Sequence, residues 1–249
     1  MKVGLFVPCY IDAFFPEVGI ATLELLERLG CSVEYPLDQT CCGQPMANSG
    51  SERDAAACEA HFVRCFDRSY DAIVAPSASC VHHVRAHLDA VEQTPETLAV
   101  RARTRELVEF LHDDLKVAAF PWAAFPHKVG LHDSCSAVRG IGHARPSERA
   151  GDPFFSKTRD VLGKVRGLEL VEIDRSDECC GFGGSFCVVE EAVSAKMGLD
   201  RVDDFHRHGA EYVASADMSC LLHMRGVIDR QRLPTKVIHV AQILNGGPR

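Results

Sequence analysis

The sequence predicts an α/β fold: two tandem, pseudo-symmetric units, each a small, mostly parallel sheet flanked by helices. Three observations carry that prediction. Short apolar runs alternate with stretches of helical periodicity, the same landmarks recur in the same order in both halves, and the composition is that of an ordinary folded chain. The 249 residues are 46% hydrophobic and 25% charged, which excludes collagen-like, disordered and coiled-coil classes. Strands that alternate with helices form parallel sheets covered on both faces, and loops after the carboxyl ends of such strands build the sites.

Taken in order, residues 3–7 are a short apolar run and read as a strand. Residues 17–29 carry Ile20, Leu23, Leu26 and Leu29 at helical spacing, and Gly30 stops that helix. Residues 31–35 read as a second strand, 52–67 as a helix, and 72–75 as a buried strand ended by Pro76. Residues 105–111 are expected to form a closing helix, with 240–244 as its counterpart in the second half.

The halves match landmark by landmark. Lys2-Val3-Gly4-Leu5, then three residues, then Cys9, recurs as Lys128-Val129-Gly130-Leu131 and Cys135. Val33-Glu34 followed by Cys41-Cys42-Gly43 recurs as Val171-Glu172 and Cys179-Cys180-Gly181, and Ser79-Cys80 recurs as Ser219-Cys220. Such an ordered recurrence marks a tandem duplication, with units at 1–117 and 118–249. The second unit begins with a packed connector around 118–126. The gap between the first cysteine and the pair is 43 residues in the second copy against 31 in the first. The excess falls in the Gly- and Pro-rich stretch 139–155.

Twelve cysteines stand in this chain. Formal charge is −8 without a basic cluster, which disfavours nucleic-acid binding. No apolar run is long enough for a membrane span, and residues 1–15 lack the features of a signal peptide. The expected location is cytoplasmic, where structural disulfides do not persist and abundant cysteines point to metal or redox chemistry. Cys9, Cys41, Cys42 and Cys80, and their counterparts Cys135, Cys179, Cys180 and Cys220, each follow a predicted strand and should converge at one end of each sheet. Adjacent cysteines do not readily pair with each other, but they can serve neighbouring ions of one iron–sulfur cluster. Gly43 and Gly181 would let backbone N–H groups turn toward the sulfurs. The richer Gly181-Phe182-Gly183-Gly184 run predicts more backbone donors and a more open approach in the second copy.

Two other readings stay open on the residues alone. Cys80-x-x-His83 and Cys220-x-x-His223 suit a structural zinc site, and a metal-free dithiol would use Cys41-Cys42. Cys58, Cys65, Cys31 and Cys187 read as core residues. His132 and Asp133 could orient ligands or relay a proton. No flavin or nicotinamide signature and no nucleophile elbow is present, and no catalytic residue is indicated.

The repeated Cys…Cys-Cys-Gly…Cys pattern resembles the cysteine-rich CCG domain of heterodisulfide reductases and of glycolate-oxidase iron–sulfur proteins. Phe14-Phe15-Pro16-Glu17-Val18-Gly19, Thr40-Cys41-Cys42-Gly43-Gln44-Pro45, His132-Asp133-Ser134-Cys135 and Glu178-Cys179-Cys180-Gly181-Phe182-Gly183-Gly184 resemble blocks of the lactate utilization protein A family more closely still. That resemblance spans the whole chain. It implies an oxidoreductase component in the oxidation of L-lactate to pyruvate, acting with two companion lactate-utilization proteins, one of them carrying ferredoxin-type clusters. It implies an iron–sulfur cofactor of the 4Fe-4S type held by the eight cysteines, while the residues themselves keep zinc in one half as an alternative. His83 and His223 stand where heterodisulfide reductase has the last cysteine of Cys-x-x-Cys, and are additional candidate ligands. By the same resemblance, thiol/disulfide redox chemistry is a further alternative.

Overall fold

The structure, a computed structural model, describes residues 1–247. In the first half β1 (Lys2–Leu5), α1 (Cys9–Phe14), α2 (Pro16–Arg28), β2 (Ser32–Glu34), α3 (Gln44–Asn48), α4 (Glu52–Phe66), β3 (Ala72–Ala75), α5 (Ala78–His87), α6 (Pro95–Arg103), β4 (Thr104–Glu106) and α7 (Leu107–Glu109) follow one another. The second half runs β5 (Lys128–Leu131), α8 (Lys157–Leu162), β6 (Glu169–Leu170), α9 (Phe186–Val189), α10 (Glu191–Arg207), β7 (Tyr212–Ser215), α11 (Met218–Gln231), β8 (Lys236–His239) and α12 (Val240–Leu244). Each half folds around a four-stranded sheet, ordered β2-β1-β3-β4 and β6-β5-β7-β8, in which every strand pairing is parallel. The expected α/β architecture of two repeated units is the one observed. No helix among the described residues is long and apolar enough to cross a membrane.

The central strands show why these sequences pair. All four residues of β3 are buried, as expected for a strand covered on both faces. The glycine of each Lys-Val-Gly-Leu repeat has a packing reason. A Cβ on Gly4 would come 2.6 Å from the Tyr70 ring, and one on Gly130 would come 2.4 Å from the Phe205 ring. The glycine therefore lets an aromatic side chain close over the strand.

The expected helix at 105–111 is corrected. Thr104–Glu106 forms the edge strand β4, only Leu107–Glu109 is α-helical, and a wider turn covers Phe110–Asp114. The cause is a cap: the Glu106 carboxylate accepts from Val108 N–H at 2.6 Å and Glu109 N–H at 3.3 Å, so helix can start only beyond it. The second half repeats the device, with β8 ending at His239, whose Nδ1 accepts from Ala241 N–H at 3.1 Å. Each cap is closed by a reciprocal partner, Glu109 or Gln242.

The halves are knitted together. Phe120, Ala123 and Phe125 of the connector are buried in a core that draws side chains from both sheets. The last helix, α12, returns to pack on α2. There Arg28 donates to the Asn245 carbonyl at 3.1 Å, and Asn245 Nδ2 donates to Glu24 at 2.7 Å.

Candidate metal centre

The eight repeated cysteines are delivered by equivalent elements. Cys9 opens α1 just after β1, Cys41-Cys42 lie between β2 and α3, and Cys80 sits in the first turn of α5 after β3. Cys135, Cys179-Cys180 and Cys220 occupy the same places after β5, β6 and β7. All are at carboxyl ends of parallel strands, and the two sheets turn those ends toward each other. All eight cysteines consequently line one cleft of about 470 Å³ between the halves.

Within the cleft the thiols form two chains of neighbours. Cys9 Sγ lies 3.7 Å from Cys41 Sγ, and the contacts continue from Cys41 to Cys42 and from Cys42 to Cys80. The second chain runs Cys135, Cys179, Cys180, Cys220. Two sulfurs bound at 2.3 Å to one tetrahedral ion are about 3.8 Å apart, so the first pair already has the spacing of shared ligation. Hydrogen bonds from Cys42 and Cys9 lower the Cys41 thiol to about 3, which favours its thiolate form. The same contacts, with burial, push Cys9 and Cys42 upward. A soft donor set of this kind fits an iron–sulfur cluster or a zinc ion.

The glycines act as their position suggests. Gly43 and Gly181 hold φ of +96° and +89°, and their N–H groups approach Cys41 Sγ and Cys179 Sγ, each at 3.4 Å. Gly183 and Gly184 continue with positive φ, the Phe182 N–H adds a donor to Cys180, and Cys135 is exposed where Cys9 is half-buried. The second copy thus has the more open approach.

Two residues carry the polar frame of the cleft. Asp217 is buried and accepts from Ser77 Oγ (3.0 Å), Ser79 N–H (3.0 Å), Ser79 Oγ (2.8 Å) and Ser134 Oγ, so it ties the second copy to the first. Burial raises its carboxyl above the usual range while these bonds oppose the shift. Sequence reasoning missed Asp217. The available signal was the departure from the repeat, Asp217-Met218-Ser219-Cys220 against Ser77-Ala78-Ser79-Cys80. His132 is the second: one ring nitrogen lies with the Cys180 and Cys220 sulfurs in a group mutually within 4.8 Å. Burial, then the nearby Arg201 charge, keeps its ring neutral.

The remaining candidates do not line the cleft. His83 and His223 are not among the residues that line the cleft. His83 Nε2 lies 3.2 Å from Glu59 Oε1, and burial lowers its ring to about 4; His223 Nε2 is buried against Gly198. Asp133 turns away from the sulfurs, accepting from Ser156 Oγ at 3.1 Å. Cys31 and Cys65 are buried core residues, whereas Cys58 is only half-buried on α4. Half-buried Cys187 donates to the Gly184 carbonyl at 3.1 Å.

Comparison with known proteins gives the family. The family model of the CCG cysteine-rich domain matches twice, over residues 3–85 and 129–225. Lactate utilization protein A of an Exiguobacterium species is 41% identical, covering 99% of this chain and 98% of its own. The proteins of that name from Halalkalibacterium halodurans and Geobacillus kaustophilus are 38% and 39% identical, each covering 98% of this chain and 97% and 99% of their own. Among solved structures, glutamate racemase from Francisella tularensis aligns over 98% of this chain and 78% of its own, with 11% identity and a TM-score of 0.36. With two matches to the domain model and full-length relatives above 30% identity, the chain belongs to the lactate utilization protein A family of CCG cysteine-rich proteins.

Proposed function

We propose that this chain is an iron–sulfur electron-transfer component of a cytoplasmic system that oxidises L-lactate to pyruvate. It would work with two companion lactate-utilization proteins, one of them carrying ferredoxin-type clusters. The observation that carries the proposal is the convergence of eight thiols from both copies on one cleft, together with relatives named for lactate utilization. Cys9, Cys41, Cys42 and Cys80 would hold one end of the cofactor site, and Cys135, Cys179, Cys180 and Cys220 the other.

An iron–sulfur cluster of the 4Fe-4S type supplies one-electron transfer when bound. Lactate oxidation releases two electrons and two protons, and the chain has no flavin or nicotinamide signature to take a hydride. A relay role beside a partner that handles the substrate follows. The chain's own residues prepare the site: the neighbouring Cys42 and Cys9 thiols favour ionisation of Cys41, and the Gly43 and Gly181 N–H groups offset charge on the thiolates. Asp217 fixes the two walls against each other.

The test is anaerobic purification followed by a visible spectrum and assays of iron, sulfide and zinc. The expected result is a brown protein with stoichiometric iron and sulfide, most of it lost in Cys42→Ala or Cys180→Ala. A colourless protein that holds zinc and takes up no iron on reconstitution would defeat the proposal in favour of a zinc-stabilised interaction protein, since thiols 3.7 Å apart suit zinc equally.

A further inference from the structure

Besides Asp217, the two copies differ at another buried place beside the sulfurs. Lys2-Val3-Gly4-Leu5-Phe6 and Lys128-Val129-Gly130-Leu131-His132 stand in the same register: the Phe6 N–H donates to the Val74 carbonyl at 2.9 Å, and the His132 N–H to the Ala214 carbonyl at 2.8 Å. In the first copy this place is apolar. The Phe6 ring packs edge-on against Phe62 and Phe66 of α4, with centroids 4.9 and 5.7 Å away. In the second copy His132 instead meets Arg201 of α10, which lies over the Phe205 ring at 4.3 Å.

His132 and Arg201 are 1% and 0% exposed. Burying a guanidinium is costly unless its donors are satisfied, and the same fold accommodates an apolar pair in its other half. Arg201 is satisfied. It donates to the Arg175 carbonyl and, at 3.1 Å, to the Ser176 carbonyl, and it lies 3.7 Å from the Asp204 carboxylate. Its remaining Nε–H goes to His132 Nδ1 at 3.2 Å. A guanidinium has no acceptor, so Nδ1 must present its lone pair, and in a neutral ring the hydrogen is then on Nε2. That Nε2 is buried without a partner, on a ring grouped with the Cys180 and Cys220 sulfurs. A buried N–H left unpaired costs about 1–3 kcal/mol, which makes an acceptor inside the cleft the natural complement.

We infer that His132 is not a metal ligand but an Nε2–H donor, its tautomer fixed by Arg201, to a sulfur of the group held at Cys180 and Cys220. The inference rests on the iron–sulfur reading above and deepens it: the second copy's side of the cleft is the one that stabilises added negative charge. Phe6 provides no such donor in the first copy. Hydrogen bonds to sulfur favour the reduced, more negative state and raise the potential.

Two variants of the full chain test this. His132→Phe installs the residue that the first copy uses, and His132→Gln keeps an N–H donor. With iron and sulfide content unchanged, His132→Phe is expected to lower the midpoint potential by about 59 mV, a tenfold change in a one-electron equilibrium, and His132→Gln to recover part of it. An unchanged potential in His132→Phe overturns the inference. So does a paramagnetic-resonance spectrum of the reduced protein, labelled with ¹⁵N-histidine, that shows nitrogen bonded directly to iron. A second readout needs no cluster: ¹⁵N resonances of labelled histidine in the metal-free wild-type chain should show His132 protonated at Nε2 alone. A proton on Nδ1 overturns the inference whether or not iron binds, whereas a failure to bind iron counts against the proposed function.

Discussion

Asp217 gathers more of the cleft's polar frame than any of the thiols it sits beside. Four donors from three serines converge on one carboxylate, and two of those serines belong to the other copy. Asp217→Ala would leave those donors facing a void, and removing one partner of a buried charged network costs about 3–5 kcal/mol. Urea denaturation of the metal-free protein should show a loss of that size, with Asp217→Asn recovering part because its carbonyl still accepts. An unchanged midpoint for Asp217→Ala would mean that the serines find other partners. This residue also marks how far the sequence could be read. The eight cysteines were legible because they repeat, but Asp217 and the His132–Arg201 pair are departures from the repeat. Their partners lie 69 to 140 positions away, a distance that no local pattern spans.

At the scale of elements, the turns after the cysteine pairs are set by glycine. Gly43 and Gly181 both adopt the left-handed region, which costs other residues roughly 1–2 kcal/mol. Their surroundings differ. A Cβ on Gly181 would come 2.7 Å from the Ser194 carbonyl oxygen, a backbone atom, whereas one on Gly43 would meet the Glu59 side chain at 3.0 Å. Gly181→Ala should therefore destabilise the chain more than Gly43→Ala, by about 1 kcal/mol or more, and release iron faster from the loaded protein. Equal unfolding midpoints for the two would contradict this. Strands β1 and β3 and helices α2 and α4 were legible because each carries an unbroken apolar period. The edge strands β4 and β8 were not. They are short, and Glu106 caps a helix at a position that hydrophobic spacing places inside it, whereas the helix expected at 240–244 does begin just after its cap, His239.

For the molecule as a whole, buried neutral histidines link folding to pH. His143 is fully buried, and burial lowers its ring from 6.5 to about 3. His239 is lowered to about 4 in the same way, and its Nε2–H reaches across to the Pro76 carbonyl at 3.1 Å. For each, the unfolded chain binds a proton that the folded one refuses. Stability from these groups is complete above about pH 6.5 and is lost as pH falls toward 3–4. His143→Leu should flatten the fall in stability between pH 6.5 and 4.5 by roughly 1.4 kcal/mol per pH unit, one proton's worth, as read from urea midpoints across that range. A slope equal to wild type would show that His143 titrates normally. The two-unit architecture was legible from the duplication alone, but the joining of both sheets' carboxyl edges into one cleft was not. The repeats specify each unit and are silent about how the units face each other.

That shared cleft has a consequence for biosynthesis. Cys9, Cys41, Cys42 and Cys80 have all been translated 137 residues before Asp217, and α12, which packs back on the first half, comes later still. The first four thiols therefore leave the ribosome without the wall that will enclose them. The cleft has both walls only once Asp217 and Cys220 have been made and folded.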